Sequence, residues 1–272
     1  MTIWKQGRLW ARWAGLCAIL TIGTVSNGEA KSIAVTRTTA AGVPVIVLTV
    51  DLGDPRVKVT GMVARHGSGS QEGFNDMIRR THPTAAVTGT FFSTRSLIPI
   101  GDIVLDGRLA HRGGVGTGLC VTEDNQCEFV QPPYRYCPMD WSRYDFVCCS
   151  GPRLVSGGVA SVHPGAEGFH DSHLLGYAPR LAVGITENSK LLFVATRKRI
   201  QLGQMAKAMQ KLGCIEAINL DAGSSLGFYH GGKTLIKPGR KLTNLILIYD
   251  DRERYARFKS RLAPQPEIAR NP

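Results

Sequence analysis

The chain lacks a hydrophobic run long enough to cross a bilayer comfortably. Its most apolar stretch, Trp13 to Val25, falls short of the ~20 residues a transmembrane helix needs. No Cys-x-x-Cys or His-x-x-x-His spacing occurs, so zinc sites of those patterns have no signature. The glycines from Gly113 to Gly118 follow neither P-loop nor dinucleotide spacing and read as a closely packed loop. No metal and no cofactor are therefore expected. No internal repeat is found, which argues against solenoids and propellers. Acidic residues are few: 21 Asp and Glu stand against 33 Lys and Arg, for a net charge of +12 over 272 residues.

What remains is ordinary globular material, 43% hydrophobic and 20% charged, enough for a sizeable core. Lys5, Arg8 and Arg12 precede the apolar stretch, and Gly28 and Ala30 follow it as a small-x-small cleavage pattern. Residues 1–30 thus read as a signal peptide, with an uncleaved anchor as the rival. Residues 31–250 read as one domain, and 251–272 as a charged, Pro-containing tail. Removing residues 1–30 takes away three positive charges and one negative, Glu29, leaving +10. An exported basic domain, periplasmic or extracellular, suits anionic glycans or peripheral contact with a membrane or envelope. Its compartment disfavours nucleic acid, and simple solubility is the bland reading of the charge.

Six cysteines follow the targeting segment: Cys120, Cys127, Cys137, Cys148, Cys149 and Cys214. An even count in an exported chain reads as disulfides. Cys120 and Cys127 flank the polar turn Glu123-Asp124-Asn125-Gln126, which predicts a hairpin staple. Cys137 is then expected to pair with Cys148 or Cys149, with Cys214 taking the other or remaining free.

Val43 to Val50 predicts a strand, and the alternation from Val57 to Gly61 a second one paired with it. Phe74 to Arg80 predicts a short helix, Ala85 to Thr88 a buried strand, and Asp106-Gly107 a hairpin turn. Pro132 to Tyr144 is a Pro- and aromatic-rich excursion, read as a rim. His163, His170, Asp171 and His173 fall in a polar loop. Metal ligation or base catalysis is one reading there and simple exposure the other, which is preferred. Thr243 to Tyr249 predicts a closing strand, followed by a surface helix.

The most informative stretch is Leu191 to Ser225. A strand-like run at Leu191–Ala195 is followed by Leu202, Met205, Ala206, Met209 and Leu212 at helical spacing, then a second apolar run from Ile215 to Leu220. This order predicts a βαβ crossover with parallel strands. Asp221 then falls just past the carboxyl end of a buried strand, where α/β sheets place ligands. The small residues Ala222 to Ser225 let the backbone approach a ligand. A turn-capping Asp is the bland alternative. The fold class is read as α+β: a mixed, largely antiparallel β-sheet system with a βαβ unit and few helices.

Asn219-Leu220-Asp221 followed by small residues, with Ala178-Pro179-Arg180 upstream, resembles the phosphodiester glycosidase family. Gly89-Thr90-Phe91-Phe92, Ser150-Gly151-Pro152-Arg153-Leu154-Val155, and Arg240 followed by Asn244 extend the resemblance over roughly Ala85 to Tyr249. The family usually has three glycines after the aspartate, where this chain has Ala222, Gly223 and Ser224; it usually has Asn where this chain has Thr88. The resemblance implies a glycosidase that cleaves a sugar 1-phosphodiester on a glycan or glycolipid. It implies Asp221 and Arg180 as catalytic residues. Asn219, Gly223, Ser224, Ser225, Thr90, Arg240 and Asn244 would bind substrate. For Phe91 and Phe92 the core reading is preferred. Two rivals stand: a non-catalytic glycan-binding or polysaccharide-assembly protein on the same fold, and a basic envelope-binding structural protein without a pocket at Asp221.

Overall fold

The architecture follows from strands that alternate the faces they bury. In the computed structural model, which describes residues 31–264, Leu192 and Val194 point to one side of their strand and Leu191, Phe193 and Ala195 to the other. Period-two alternation with both faces apolar places this strand inside a layered core. The expected signal peptide and the end of the tail lie outside the described residues.

The fold is α+β, and every strand pair among the described residues is antiparallel. A seven-stranded sheet runs in the spatial order Ile33–Ala40, Val43–Asp51, Lys190–Ile200, Ala178–Thr186, Cys214–Leu220, Arg153–Ser156, Val159–Ala160. One face of it is covered by the helix Leu202–Lys211, whose Leu202, Met205, Ala206 and Met209 pack on Val45, Val47, Ala182 and Val194. The other face meets two five-stranded sheets. The first has the order Lys233–Ile236, Phe228–His230, Ala85–Thr88, Asn244–Tyr249, Lys58–Val63. The second has the order Arg108–His111, Ile103–Leu105, Phe146–Ser150, Thr117–Val121, Cys127–Val130. The main core, including Phe193, Ile218, Leu220, Phe228, Ile246 and Phe146, fills the space among the three sheets.

The predicted strand–helix–strand unit is present but split. Lys190–Ile200 and Cys214–Leu220 run in the same direction, yet Ala178–Thr186 lies between them and pairs antiparallel with both. The second early strand also differs from expectation. Lys58–Val63 pairs with Asn244–Tyr249 in another sheet, and Val43–Asp51 instead pairs with Ile33–Ala40 and Lys190–Ile200. All six residues of Lys58–Val63 are buried, which a strand on the outer side of Val43–Asp51 would not achieve.

All six cysteines among the described residues are free thiols. The expected Cys120–Cys127 staple is refused by register. Cys120 lies opposite Glu128 and Cys127 opposite Val121, so the two side chains leave opposite faces of the hairpin. Cys120 and Cys149 instead share a face, and both sulfurs lie within 3.3 Å of where a Cβ on Gly118 would sit. Burial pushes the thiols of Cys148 and Cys214 up to about 12. The Asp106-Gly107 turn has φ of 52° and 70°, the left-handed pair that a tight hairpin requires.

Candidate active site

The strand Cys214–Leu220 ends where the Ala85–Thr88 strand of the neighbouring sheet also ends. The Asp221 N–H donates to the Gly89 carbonyl at 2.9 Å and ties the two ends together. A residue that tolerates left-handed backbone angles is needed at this junction. Gly223 takes a left-handed φ of 58° at the start of a short 3-10 turn, Gly223–Ser225, with open space where its side chain would be. Thr88 pins that turn by donating its hydroxyl to the Ser225 carbonyl at 2.6 Å and accepting from Gly227 N–H at 2.9 Å.

Asn244 braces the Gly89-Thr90 bend from the adjoining strand. Its side-chain oxygen accepts from Thr90 N–H at 2.7 Å, and its amide donates to the Thr90 carbonyl at 3.0 Å. Gly89 is required by this contact, because a Cβ there would lie 2.2 Å from Asn244 Oδ1. Gly89→Ala is accordingly expected to lower stability by about 1–3 kcal/mol, read as a drop in melting temperature. Asn219 closes the other side. Its backbone N–H donates to the Pro152 carbonyl at 3.0 Å and its amide to the Leu220 carbonyl at 3.0 Å, while Oδ1 is buried without a partner. Thr90 Oγ1 and Ser150 Oγ are likewise buried and unpartnered.

Asp221 is 7% exposed. Burial raises its carboxyl to about 7, opposed by a hydrogen bond from the Ser225 side chain, the charge of Arg240 and the Ala222 N–H. Near neutral pH this group sits between its acid and base forms. Arg240 is exposed and makes no hydrogen bond or ion pair among the described residues. Its loop is held to the Asp221 turn by Gly239 N–H donating to the Ser224 carbonyl at 2.8 Å. Ser224 is exposed beside it, and Ser225 is buried.

Arg180 follows a different pattern. It is 2% exposed, and extending the strand register places it across from Asp221. Its Nε donates to the Ile200 carbonyl at 3.0 Å, and Nη2 donates to the carbonyls of Leu174, at 2.8 Å, and Gly176. Desolvation lowers its pKa to about 10, so it remains charged at neutral pH.

Sequence reasoning passed over Glu167. It is buried, accepts from the Thr117 hydroxyl at 2.9 Å and from Arg153 N–H at 2.7 Å, and lies against the Gly151 turn. Burial raises its pKa. No periodicity surrounds it, and only its place in a Gly-rich loop could have drawn notice. Three other carboxylates, Asp171, Asp106 and Glu72, are engaged elsewhere. Asp171 caps a short helix through His173 N–H, Asp106 pairs with Lys259 at 3.4 Å, and Glu72 pairs with Arg80 at 2.7 Å. His170 and Asp171 line a cleft, and no cluster able to hold a metal ion occurs among the described residues. Phe91 and Phe92, expected in the core, are half-buried and line the same cleft.

Fold and site together define an α+β protein with an ionisable carboxylate and an arginine at the end of a central strand. The chain belongs to the phosphodiester glycosidase family, whose model matches residues 81–249. Solved structures share the fold, two of them as follows. The catalytic domain of zebrafish N-acetylglucosamine-1-phosphodiester alpha-N-acetylglucosaminidase, auto-inhibited by its pro-peptide, superposes with a TM-score of 0.66 at 19% identity, over 80% of this chain and 82% of that one. A hypothetical protein from Synechocystis gives 0.67 at 15% identity, over 79% of this chain and 61% of that one, so the present chain spans less than two thirds of its length. No curated protein matches the chain.

Proposed function

We propose that the protein is an exported hydrolase that cleaves a sugar 1-phosphodiester on a glycan or glycolipid. The observation that carries this reading is the buried Asp221 carboxyl, raised to about 7 and facing the charge of Arg240, in a chain of this family. In such a substrate the bond between C1 and the phosphate oxygen breaks. Water supplies the hydroxyl that stays on C1, and its remaining proton ends on the phosphate monoester or in solvent.

A phosphate leaving group is a weak base and needs a cation more than a strong acid. Arg240, whose guanidinium is unengaged, supplies it by bidentate contact with phosphate oxygens. Ionised Asp221 either attacks C1 or takes the proton of the attacking water as C1 gains oxocarbenium character. Ser224 and Gly223 N–H offer partners to sugar hydroxyls, while the buried Ser225 and Asn219 support the turn that carries Asp221. Asn244 and Thr90 keep the bend under Asp221 rigid. Arg180, spent on three carbonyls, orients the 174–176 segment and the end of the Lys190–Ile200 strand.

Ala222 and Ser224, in place of the family's glycines, favour a second reading: a non-catalytic glycan-binding protein on the same fold. Turnover of a panel of sugar 1-phosphodiesters, with Asp221→Asn as control, separates the two. Release of phosphate monoester from none of the panel would overturn the hydrolase reading. Export predicts a mature N-terminus near Lys31 by mass spectrometry of protein recovered outside the cytoplasm; an intact Met1 there would refute cleavage.

A further inference from the structure

A cleft of about 700 Å3 opens beside the candidate site. It begins at Phe91 and Phe92, the last two residues of the bend whose Gly89 carbonyl holds Asp221, so cleft and site share one rigid segment. Phe91 packs directly on the buried Phe169, ring centroids 6.2 Å apart and tilted by 59°, and Tyr136 stands at the cleft's rim, 65% exposed. Of the seven large apolar side chains exposed on the described residues, Ile98 and Tyr136 line the cleft, and Tyr134 and Leu175 adjoin lining residues in sequence. An exposed tyrosine beside two half-buried phenylalanines in one concavity offers apolar faces to a ligand.

Positive charge outnumbers negative in the cleft, two arginines to one aspartate. Arg95 and Arg135 line it. Arg135 lies over the Tyr136 ring at 5.1 Å and donates to the Tyr136 hydroxyl at 3.2 Å. Gly168, at φ 81°, has no side chain because a Cβ would lie 2.4 Å from Arg135 Cδ; the glycine seats the arginine. Asp171, the acidic residue lining the cleft, directs its carboxylate to His173 N–H.

We infer that this cleft binds an acidic oligosaccharide, its sugar rings against Phe91, Phe92 and Tyr136 and its carboxylate or phosphate groups on Arg95 and Arg135. Flat aromatic faces suit the apolar faces of pyranose rings, and guanidinium forks suit planar or tetrahedral anions. A lipid tail would leave both arginines unused, and a neutral glycan would gain nothing from them. The inference rests on the proposed hydrolase reading only where it calls this occupant the aglycone of the scissile phosphodiester.

The test uses a probe that contains no phosphodiester, so its result is independent of turnover. Calorimetric titration of the mature protein with tetragalacturonate is expected to show saturable binding that weakens with added salt, and maltotetraose at least 10-fold weaker binding. Arg135→Ala and Tyr136→Ala alter exposed side chains and are expected to leave the melting temperature unchanged. Each should weaken tetragalacturonate binding 10-fold or more. No binding at millimolar probe, or binding undiminished in both variants, overturns the inference. Equal affinity for the neutral tetrasaccharide overturns its acidic specificity. Binding retained alongside a failed phosphodiester screen would sink the hydrolase reading and leave the cleft assignment standing.

Discussion

Asp221→Asn is expected to abolish most turnover and, above neutral pH, to stabilise the protein. Both effects have one cause. Burial lifts the carboxyl from its ordinary 3.8 to about 7, so the native state holds this proton more tightly than the unfolded chain does. Below pH 3.8 the group is neutral in both states and costs nothing. As pH rises from there toward 7, the unfolded chain ionises first and native stability falls. Above 7 the whole penalty is present, at most about 4 kcal/mol for a shift of this size. Asparagine carries no charge to bury. The variant should therefore melt several degrees higher than the parent at pH 8 and about equally at pH 4.

Turnover should move the opposite way, falling about 1000-fold or more, because the lost charge acts chiefly in the transition state. The parent's turnover should rise as pH climbs through about 7, where Asp221 ionises. An active Asp221→Asn protein with parental stability at both pH values would return Asp221 to a turn-capping role. A variant that is more stable and inactive would place Asp221 among residues that trade stability for chemistry.

Local pattern made much of this fold legible, and distant pairing did not. The helix Leu202–Lys211 and the strands beside it follow from spacing alone, as do Phe74–Thr81 and the Asp106-Gly107 turn. The insertion of Ala178–Thr186 between two sequence neighbours was hidden, because period-two burial says which faces are apolar and not which strand lies alongside. The same gap misdirected Lys58–Val63 to the wrong sheet.

At the site, Asp221 was readable as a carboxylate after a buried strand. The environment that sets its acidity was not. The Asn244–Thr90 brace and the Glu167–Thr117 bond join residues 154 and 50 apart in sequence, and the carbonyl cage around Arg180 depends on how the irregular 174–176 segment folds back. The cysteine count foretold bridges, yet one residue of register sends Cys120 and Cys127 to opposite faces.

The two arginines provide the second large effect, and they should fail in different ways. Arg240 is exposed and without a hydrogen-bond partner among the described residues, yet its charge reaches Asp221. Arg240→Ala removes no contact that the fold needs, so the melting temperature should stay within a degree or two. If Arg240 grips the phosphate, kcat/KM on a sugar 1-phosphodiester should fall roughly 100-fold, the scale of a lost charge-assisted bidentate contact. Arg240→Lys should recover only part of it, because a point charge does not reproduce the fork. Arg180 is buried and spent on the carbonyls of Ile200, Leu174 and Gly176. Arg180→Ala leaves those acceptors unpaired and should cost about 2–4 kcal/mol in stability, with lost activity tracking lost folded protein. Thermal melts and kinetics on the same four proteins, the parent and these three variants, decide the assignment. A stable Arg180→Ala protein with collapsed kcat/KM, beside an unaffected Arg240→Ala, would move the phosphate grip from the surface loop to the buried strand.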